Sequence, residues 1–395
     1  METIRILQVV TAMNRGGLET MLMNYYRQLK KGGIQFDFMV HRAEKGDYDE
    51  EIAALGGRRY VMPAIRPGGY RSYFAALRSF FEKHREYGIV HAHLNENSAF
   101  VLKAAKEAGI TGLIAHSHMS DLEWDYKLPF RLYARAVLRS QPGLPMACSA
   151  RAGDWLYGRG NKSRGTPMVL PNAVNLEEYA RDDRVRLDVR RELNAENRLM
   201  LGHVGRFCRQ KNHDFLLRVF REVLAENKDA LLLLAGDGPL RSSAMALAKR
   251  LGISENVVFL GVRNDISRLL QGMDLFLMPS RYEGLPLALV EAQAAGLRCV
   301  VSDSITREAD LTGNVVFIPL KAPLTEWSRQ IGGMARERTD TRAALAAQGY
   351  DCGQQALRLE QLYRRLAAEG ARLGNGLNPG GWHTELKEAV QKARF

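Results

Sequence analysis

The chain has 395 residues, 46% of them hydrophobic and 25% charged, with a formal net charge of +12. That balance fits a soluble globular protein of two domains of ~200 residues each, and no apolar run approaches the ~20 residues of a membrane-spanning helix. The four cysteines (Cys148, Cys208, Cys299, Cys352) stand far apart, which argues against a disulfide framework or a paired-cysteine zinc site and fits a reducing cytoplasm. The positive charge points to an anionic partner without choosing among nucleic acid, anionic lipid and phosphorylated substrate.

The N-terminus, "METIRILQVVTAMNRGG", lacks a small-residue cleavage pattern and reads as a buried first strand rather than a signal peptide. Short apolar strands follow at 36–40, 88–93, 112–118 and 145–150, with amphipathic helices such as 18–31 and 72–85 between them. The same rhythm restarts at "RLMLGHVGR" (198–206) and runs through strands at 230–238, 256–261, 274–280, 298–303 and 315–320. Near-continuous apolar strands alternating with helices predict parallel sheets covered on both faces. The fold class is therefore α/β, with two tandem Rossmann-like, doubly wound domains facing each other across a cleft. Their bounds are 1–174 and 199–350, with a charged linker at 175–198 and helices over 351–395 that pack back toward the first domain. Helix 351–370 carries an apolar stripe of Leu357, Leu359, Leu362 and Tyr363.

Ligands of such sheets bind outside the carboxyl ends of the strands. Three clusters fall there. "SRYEGLPLALVEAQAAG" (280–296) runs from a strand end into a helix. Pro286 suits the first turn, whose unpaired N–H groups form an anion site. Glu291 shares a helix face with Leu287, and Glu283 precedes the helix. Two carboxylates flanking a phosphate site suit vicinal hydroxyls on either side of it, the layout of a nucleotide sugar. "GHVGRFCRQKNHDFLL" (202–217) places Gly205 and Arg206 at a strand end and Lys211 five residues later, two cations able to neutralise a diphosphate. "NRGGLET" (14–20) brings Gly16 and Gly17 to the end of the first strand, where backbone can approach a ligand closely. It lacks the spacing of a nicotinamide fingerprint.

With Gly16–Gly17, G-R-x-x-x-x-K at 205–211 and E-x7-E at 283–291, the chain resembles the retaining glycosyltransferases of family four, which have the GT-B fold. The resemblance extends to "NAVNLEEY", "LLLLAGDGPL" and "FLGVRNDISRLL", and its flavour is that of capsular and exopolysaccharide enzymes. It implies that Arg206 and Lys211 hold the donor diphosphate, Glu291 the ribose and Glu283 the sugar. Leu285, Pro286 and Leu287 would offer backbone to the phosphates, Gly16 and Gly17 would close on the diphosphate, and Arg263 would lie where the base docks. His118 is the histidine expected near the sugar, with His116 two residues earlier. No cofactor is implied. The donor is a nucleoside diphosphate sugar, with UDP favoured, and the acceptor a glycan or lipid-linked hydroxyl. On that resemblance the catalytic set would be Arg206, Lys211, Glu283 and His118, and the enzyme would be metal-independent.

"HAH" (91–93) and "HSH" (116–118) read as polar tips of two adjacent strands rather than a metal site, since no acid or cysteine accompanies them at ligand spacing. "DYD" (47–49) reads as a solvated loop. Lys127, Arg131, Arg135 and Arg139 recur every four residues, a basic stripe opposite Phe130, Tyr133, Ala134 and Val137. The stripe is either an ordinary solvated face or a contact for anionic lipid, which would make a cytoplasmic enzyme peripheral on the inner face of the plasma membrane. No nucleic-acid-binding pattern is present. An epimerase of the same fold and a non-catalytic membrane-associated scaffold are the alternatives.

Overall fold

The computed structural model describes residues 3–29, 32–66, 68–119, 128–141, 143–158, 166–334 and 337–374. The chain divides into two compact units, Met1–Pro171 with Gly353–Phe395, and Asn172–Cys352.

In the first unit, β1 (Ile4–Val9), β2 (Ile34–Val40), β3 (Arg59–Val61), β4 (Ile89–Ala92), β5 (Gly112–Ser117), β6 (Leu144–Ala147) and β7 (Met168–Val169) form one sheet in the order β3-β2-β1-β4-β5-β6-β7. Every pairing is parallel; Ile6, for example, sits beside Ile89. Chain order reverses between β1 and β4, so the strand ends there splay into a crevice. The edge strands β3 and β7 were absent from the sequence reading. Both are short and half-exposed, so neither carries a run of buried apolar residues.

The second unit repeats the plan with β8 (Met200–Val204), β9 (Leu231–Ala235), β10 (Val257–Gly261), β11 (Leu275–Met278), β12 (Arg298–Ser302) and β13 (Val315–Ile318), in the order β10-β9-β8-β11-β12-β13. Here the order reverses between β8 and β11. Alternate residues feed two cores: Met200, Phe276 and Met278 enter one, and Leu201, Leu275 and Leu277 the other. A sheet buried on both faces is what the near-continuous apolar strands predict.

The charged stretch 175–198 is not a free linker. It folds as a short 3-10 turn (Leu176–Tyr179) and a helix (Asp183–Glu192), with Leu176, Tyr179 and Val189 in the second unit's core. Asp274 fixes the helix in place, accepting from Arg186 at 2.5 Å, from Arg190 at 3.1 Å and from the Met200 amide at 2.8 Å. Those arginines made the segment look solvated, yet Arg190 is buried against its acid.

The helix Cys352–Gly374 belongs with the first unit. Its buried stripe is Cys352, Gln355, Ala356, Leu359, Tyr363 and Leu366, spaced by three and four. Leu357, placed on that stripe by the sequence reading, lies about 100° around the helix from Ala356 and is 63% exposed. Residues 375–395 lie outside the described residues.

Candidate functional site

In the second unit Arg206, Lys211 and Glu283 follow β8 and β11, the two strands of its reversal. After β8 the chain passes Gly205 and Arg206 and turns through Asn212, held in the left-handed conformation (φ 59°) with its side-chain amide on the Pro279 carbonyl at 3.1 Å. That bond ties the β8 loop to the β11 loop, as does Arg281 N–H to the Gln210 carbonyl at 2.8 Å. The result brings together residues 72 apart in sequence: Lys211 Nζ lies 2.6 Å from Glu283 Oε1, with both side chains largely buried. Arg206 is exposed, with no hydrogen bond or ion pair among the described residues. Arg206 and Lys211 stand on the same loop, and Glu283 reaches the lysine from the loop after β11.

Gly205 passes directly beneath the lysine stem, where a Cβ would meet Lys211 Cε at 3.2 Å and His203 Nε2 at 3.1 Å. Beside it Gly236, from "AGDGP" after β9, has φ +136°, and a Cβ there would stand 2.1 Å from the Gly205 carbonyl oxygen. The loops after β8 and β9 therefore meet backbone to backbone, a contact open only to glycine. Beneath them, His213 stacks on Phe207 with ring centroids 3.9 Å apart, and His203 meets His213 edge-on. Burial first, and the Lys211 charge second, push His213 down to about 4, so this floor is neutral at physiological pH.

After β11 the chain reaches Glu283 and the helix Leu287–Ala294. Pro286 is the N-cap rather than the first helical residue, and having no N–H it cannot serve an anion; the leading amides with no partner inside the helix are those of Leu287 and Ala288. The Leu285 carbonyl accepts from Asn172 at 2.9 Å, which pins the turn. The helix is buried on nearly every side, Glu291 included. Glu291 Oε1 accepts from the Tyr179 hydroxyl at 3.0 Å, and Oε2 has no partner among the described residues. Burial pushes its carboxyl up to about 7, against the pull of that hydrogen bond. Glu291 is thus far from the solvated helix acid its residue type alone would suggest.

Arg263, after β10, is held by Asp265 through two bonds of 2.8 and 2.7 Å, leaving its guanidinium half-exposed on the same edge of the sheet. Among the residues the sequence reading passed over, Asn172, Tyr179, Asn212 and Gly236 all act by holding another group. Only the glycines of "AGDG" gave a local signal.

In the first unit, Gly16 and Gly17 follow β1 at its reversal, and the helix Gly17–Leu29 begins there. "DYD" is the brace of that loop rather than a solvated turn. Asp47 accepts from the Arg15 amide at 2.9 Å, Tyr48 shares a hydrogen bond with Thr20 at 2.8 Å, and Asp49 pairs with Arg59 at 3.0 Å. His91 and His93 at the end of β4 meet His116 and His118 at the end of β5, and all four rings lie within hydrogen-bond reach of another. One nitrogen from each of His91, His93 and His116 falls within 4.8 Å of the others, a convergence the sequence reading did not expect. His118 is half-buried at the mouth of this group, with its backbone amide on Asn95 Oδ1 at 2.9 Å.

The basic stripe is a correction. Lys127 lies outside the described residues. The other three turn onto the protein: Arg131 reaches Glu96 at 3.8 Å, Arg135 lies over the Trp155 ring at 5.7 Å, and Arg139 donates to the Leu156 carbonyl at 3.1 Å. The outward face of the helix Leu128–Ser140 instead carries Leu132 and Tyr133, the latter expected on the apolar, inward side. Neighbouring acceptors and an aromatic face drew the arginines in.

Two parallel sheets, the second with a lysine–glutamate pair at its reversal point, define the class, and comparison with known proteins defines the family. Residues 15–178 match the family described as Glycosyltransferase Family 4, and residues 185–314 match Glycosyl transferases group 1. EpsF of Bacillus subtilis (strain 168) is 36% identical over 369 residues, covering 91% of this chain and 96% of that protein. The UDP-Gal:alpha-D-GlcNAc-diphosphoundecaprenol alpha-1,3-galactosyltransferase of Escherichia coli is 27% identical over 291 residues, 68% of this chain and 72% of that one. The structure of Anabaena Alr3699/HepE in complex with UDP and glucose matches with a TM-score of 0.70 at 17% identity, covering 95% of this chain and 100% of that one. The chain belongs to the family-four glycosyltransferases and has the GT-B fold.

Proposed function

We propose that the protein transfers a hexose from UDP-hexose to a hydroxyl of a glycan or lipid-linked acceptor during surface polysaccharide synthesis, with retention of the anomeric configuration. The observation that carries this reading is the Lys211–Glu283 pair at the reversal point of the second sheet, beside the unpartnered Arg206 and the leading amides of the helix Leu287–Ala294. A UDP ligand in a GT-B relative of the same fold, a galactosyl donor in the name of the Escherichia coli relative, and the name "Capsular polysaccharide biosynthesis glycosyltransferase CapH" for a Staphylococcus aureus relative (23% identical over 77% of this chain) support it.

On this reading Lys211 and Arg206 meet the diphosphate with charge-assisted hydrogen bonds, and the amides of Leu287 and Ala288 take an adjacent phosphate oxygen. Glu291 accepts from the ribose hydroxyls through its free Oε2, with Arg263 near the base. Glu283 serves the sugar, and its grip on Lys211 holds the ammonium in place before donor arrives. The β-phosphate oxygen takes the acceptor's proton as the glycosidic bond forms and the bond to UDP breaks on the same face. Catalysis is then stabilisation of the departing diphosphate by preset charges, and no metal is required. His118 and the loop at Gly16–Gly17 are assigned to substrate contact.

Incubation with UDP-glucose, UDP-galactose and their N-acetyl counterparts, with a polyprenyl-diphosphate sugar as acceptor, tests the reading. Acceptor-dependent UDP release and a product of α configuration by NMR are expected. A free isomerised nucleotide sugar formed without acceptor would identify an epimerase instead.

A further inference from the structure

The histidines at the ends of β4 and β5 are linked into one hydrogen-bond chain through Gln8, on β1, and Tyr363, on the helix Cys352–Gly374, with His118 and His116 at its two ends. His93 Nδ1 lies 2.9 Å from His118 Nε2, and His93 Nε2 lies 2.8 Å from Gln8 Oε1. Gln8 Nε2 donates to the Tyr363 hydroxyl at 3.2 Å, that hydroxyl lies 2.8 Å from His91 Nδ1, and His91 Nε2 lies 3.2 Å from His116 Nδ1. Gln8, His91, His93, His116 and Tyr363 are all buried, and among the described residues no acid is hydrogen-bonded or ion-paired to any of the four rings. Burial depresses each imidazole's basicity, bringing His91 and His118 to about 3, so all four are neutral.

A neutral imidazole has one donor and one acceptor nitrogen, so the orientation of the Gln8 amide, with Oε1 toward His93 and Nε2 toward Tyr363, sets each proton in turn. Gln8 Oε1 can only accept, so His93 carries its hydrogen on Nε2 and its Nδ1 is bare. The contact to His118 then needs a hydrogen on His118 Nε2, which leaves His118 Nδ1 as a lone pair. On the other branch, Tyr363 receives the Gln8 amide and must pass its own hydrogen to His91 Nδ1. His91 therefore donates from Nε2 to His116 Nδ1, and the last hydrogen rests on His116 Nε2, which is buried without a partner. Turning the Gln8 amide end for end would reverse every one of these protons. His118 Nδ1 has no partner among the described residues and is not enclosed.

We propose that Gln8 and Tyr363 are positioning residues that lock His118, through His93, as the Nε2–H tautomer, so that its Nδ1 can only accept a hydrogen bond from a substrate hydroxyl. The proposal rests on the assignment of His118 to substrate contact. Its consequence is selectivity for a hydroxyl donor over an ether or carbonyl at that position, because a locked acceptor has nothing to offer them.

Long-range proton–nitrogen correlation spectra of the full chain, labelled with 15N-histidine, read each tautomer without any assay. The expected result is Nε2–H at His91, His93, His116 and His118 alike. In Gln8→Leu, His118 is expected to become a mixture of both tautomers while catalytic efficiency falls roughly fivefold, the worth of one neutral hydrogen bond; Tyr363→Phe, a milder change, should shift His118 in the same direction. A wild-type His118 carrying its hydrogen on Nδ1, or a Gln8→Leu protein whose His118 remains purely Nε2–H, overturns the proposal. So does stoichiometric binding of added Zn2+ that erases the ring N–H signals of His91, His93 and His116, since the cluster would then be a metal site. Unchanged turnover in His118→Ala, with the tautomers as expected, overturns the substrate contact and is read separately from the lock.

Discussion

Lys211 Nζ and Glu283 Oε1 stand 2.6 Å apart across two loops that follow neighbouring strands, β8 and β11. The pair is largely buried, so neither charge is spent on solvent, and each holds the other where a diphosphate and its sugar would be met. Removing Lys211 subtracts the ammonium and also leaves a carboxylate of like sign facing the diphosphate. Lys211→Ala is therefore expected to lower kcat by roughly 100- to 1,000-fold with a folded circular dichroism spectrum. Glu283→Gln, which keeps the shape and frees the lysine, should lose less. Steady-state kinetics of the two variants side by side checks the order.

The Glu291 carboxyl sits at about 7 because burial outweighs its bond to Tyr179. Ribose hydroxyls must donate to the ionised form, so donor affinity should rise as pH increases through about 7. Tyr179→Phe removes a hydrogen bond that favours ionisation and should move that midpoint higher. The sign for folding is opposite. With a folded value above the ordinary 4.5, the native state keeps a proton that the unfolded chain has lost, so this group withdraws stability as pH rises from 4.5 toward 7. A profile of donor KM against pH in both proteins checks the first claim, and denaturant midpoints against pH check the second.

Gly236 has φ +136°, with the Gly205 carbonyl where a Cβ would go. Gly236→Ala should cost about 1–3 kcal/mol from backbone strain and push the Gly205 backbone out of its place beneath the Lys211 stem. A lower melting temperature together with weaker nucleotide binding is expected. Gly252→Ala also has positive φ but meets nothing within 4 Å, so it should lower stability alone.

Asp274 holds two arginines and a backbone amide at the foot of β8 and β11. Asp274→Ala strands Arg190 in the core, and loss of one partner of a buried pair costs about 3–5 kcal/mol. Hydrogen exchange should speed up first in the helix Asp183–Glu192, which this acid anchors.

Much of this was legible in the sequence, for identifiable reasons. Strands buried on both faces announce themselves as apolar runs, so the two sheets and their restart at residue 198 could be read directly, whereas β3 and β7, half-exposed at the edges, could not. Arg206, Lys211 and Glu283 could be placed at strand ends because a strand end is a local feature. That Lys211 and Glu283 touch was not, since their contact depends on the order of β8 and β11 in the sheet. The misread arginines have one cause. Arg131, Arg135, Arg139, Arg186 and Arg190 look solvated when counted as charges, yet each finds a partner that only the tertiary fold supplies. The histidine network was half visible, as two alternating pairs, while Gln8 and Tyr363, 355 residues apart, carry no signal of their own.

Calorimetric titration of UDP into the wild-type protein, Lys211→Ala and Arg206→Ala tests the central claim most directly. Saturable binding by the wild type is predicted, with at least about tenfold weaker binding in each variant, since a hydrogen bond to a charged group is worth roughly 1.5–3 kcal/mol. Equal UDP affinity in all three proteins would contradict the account.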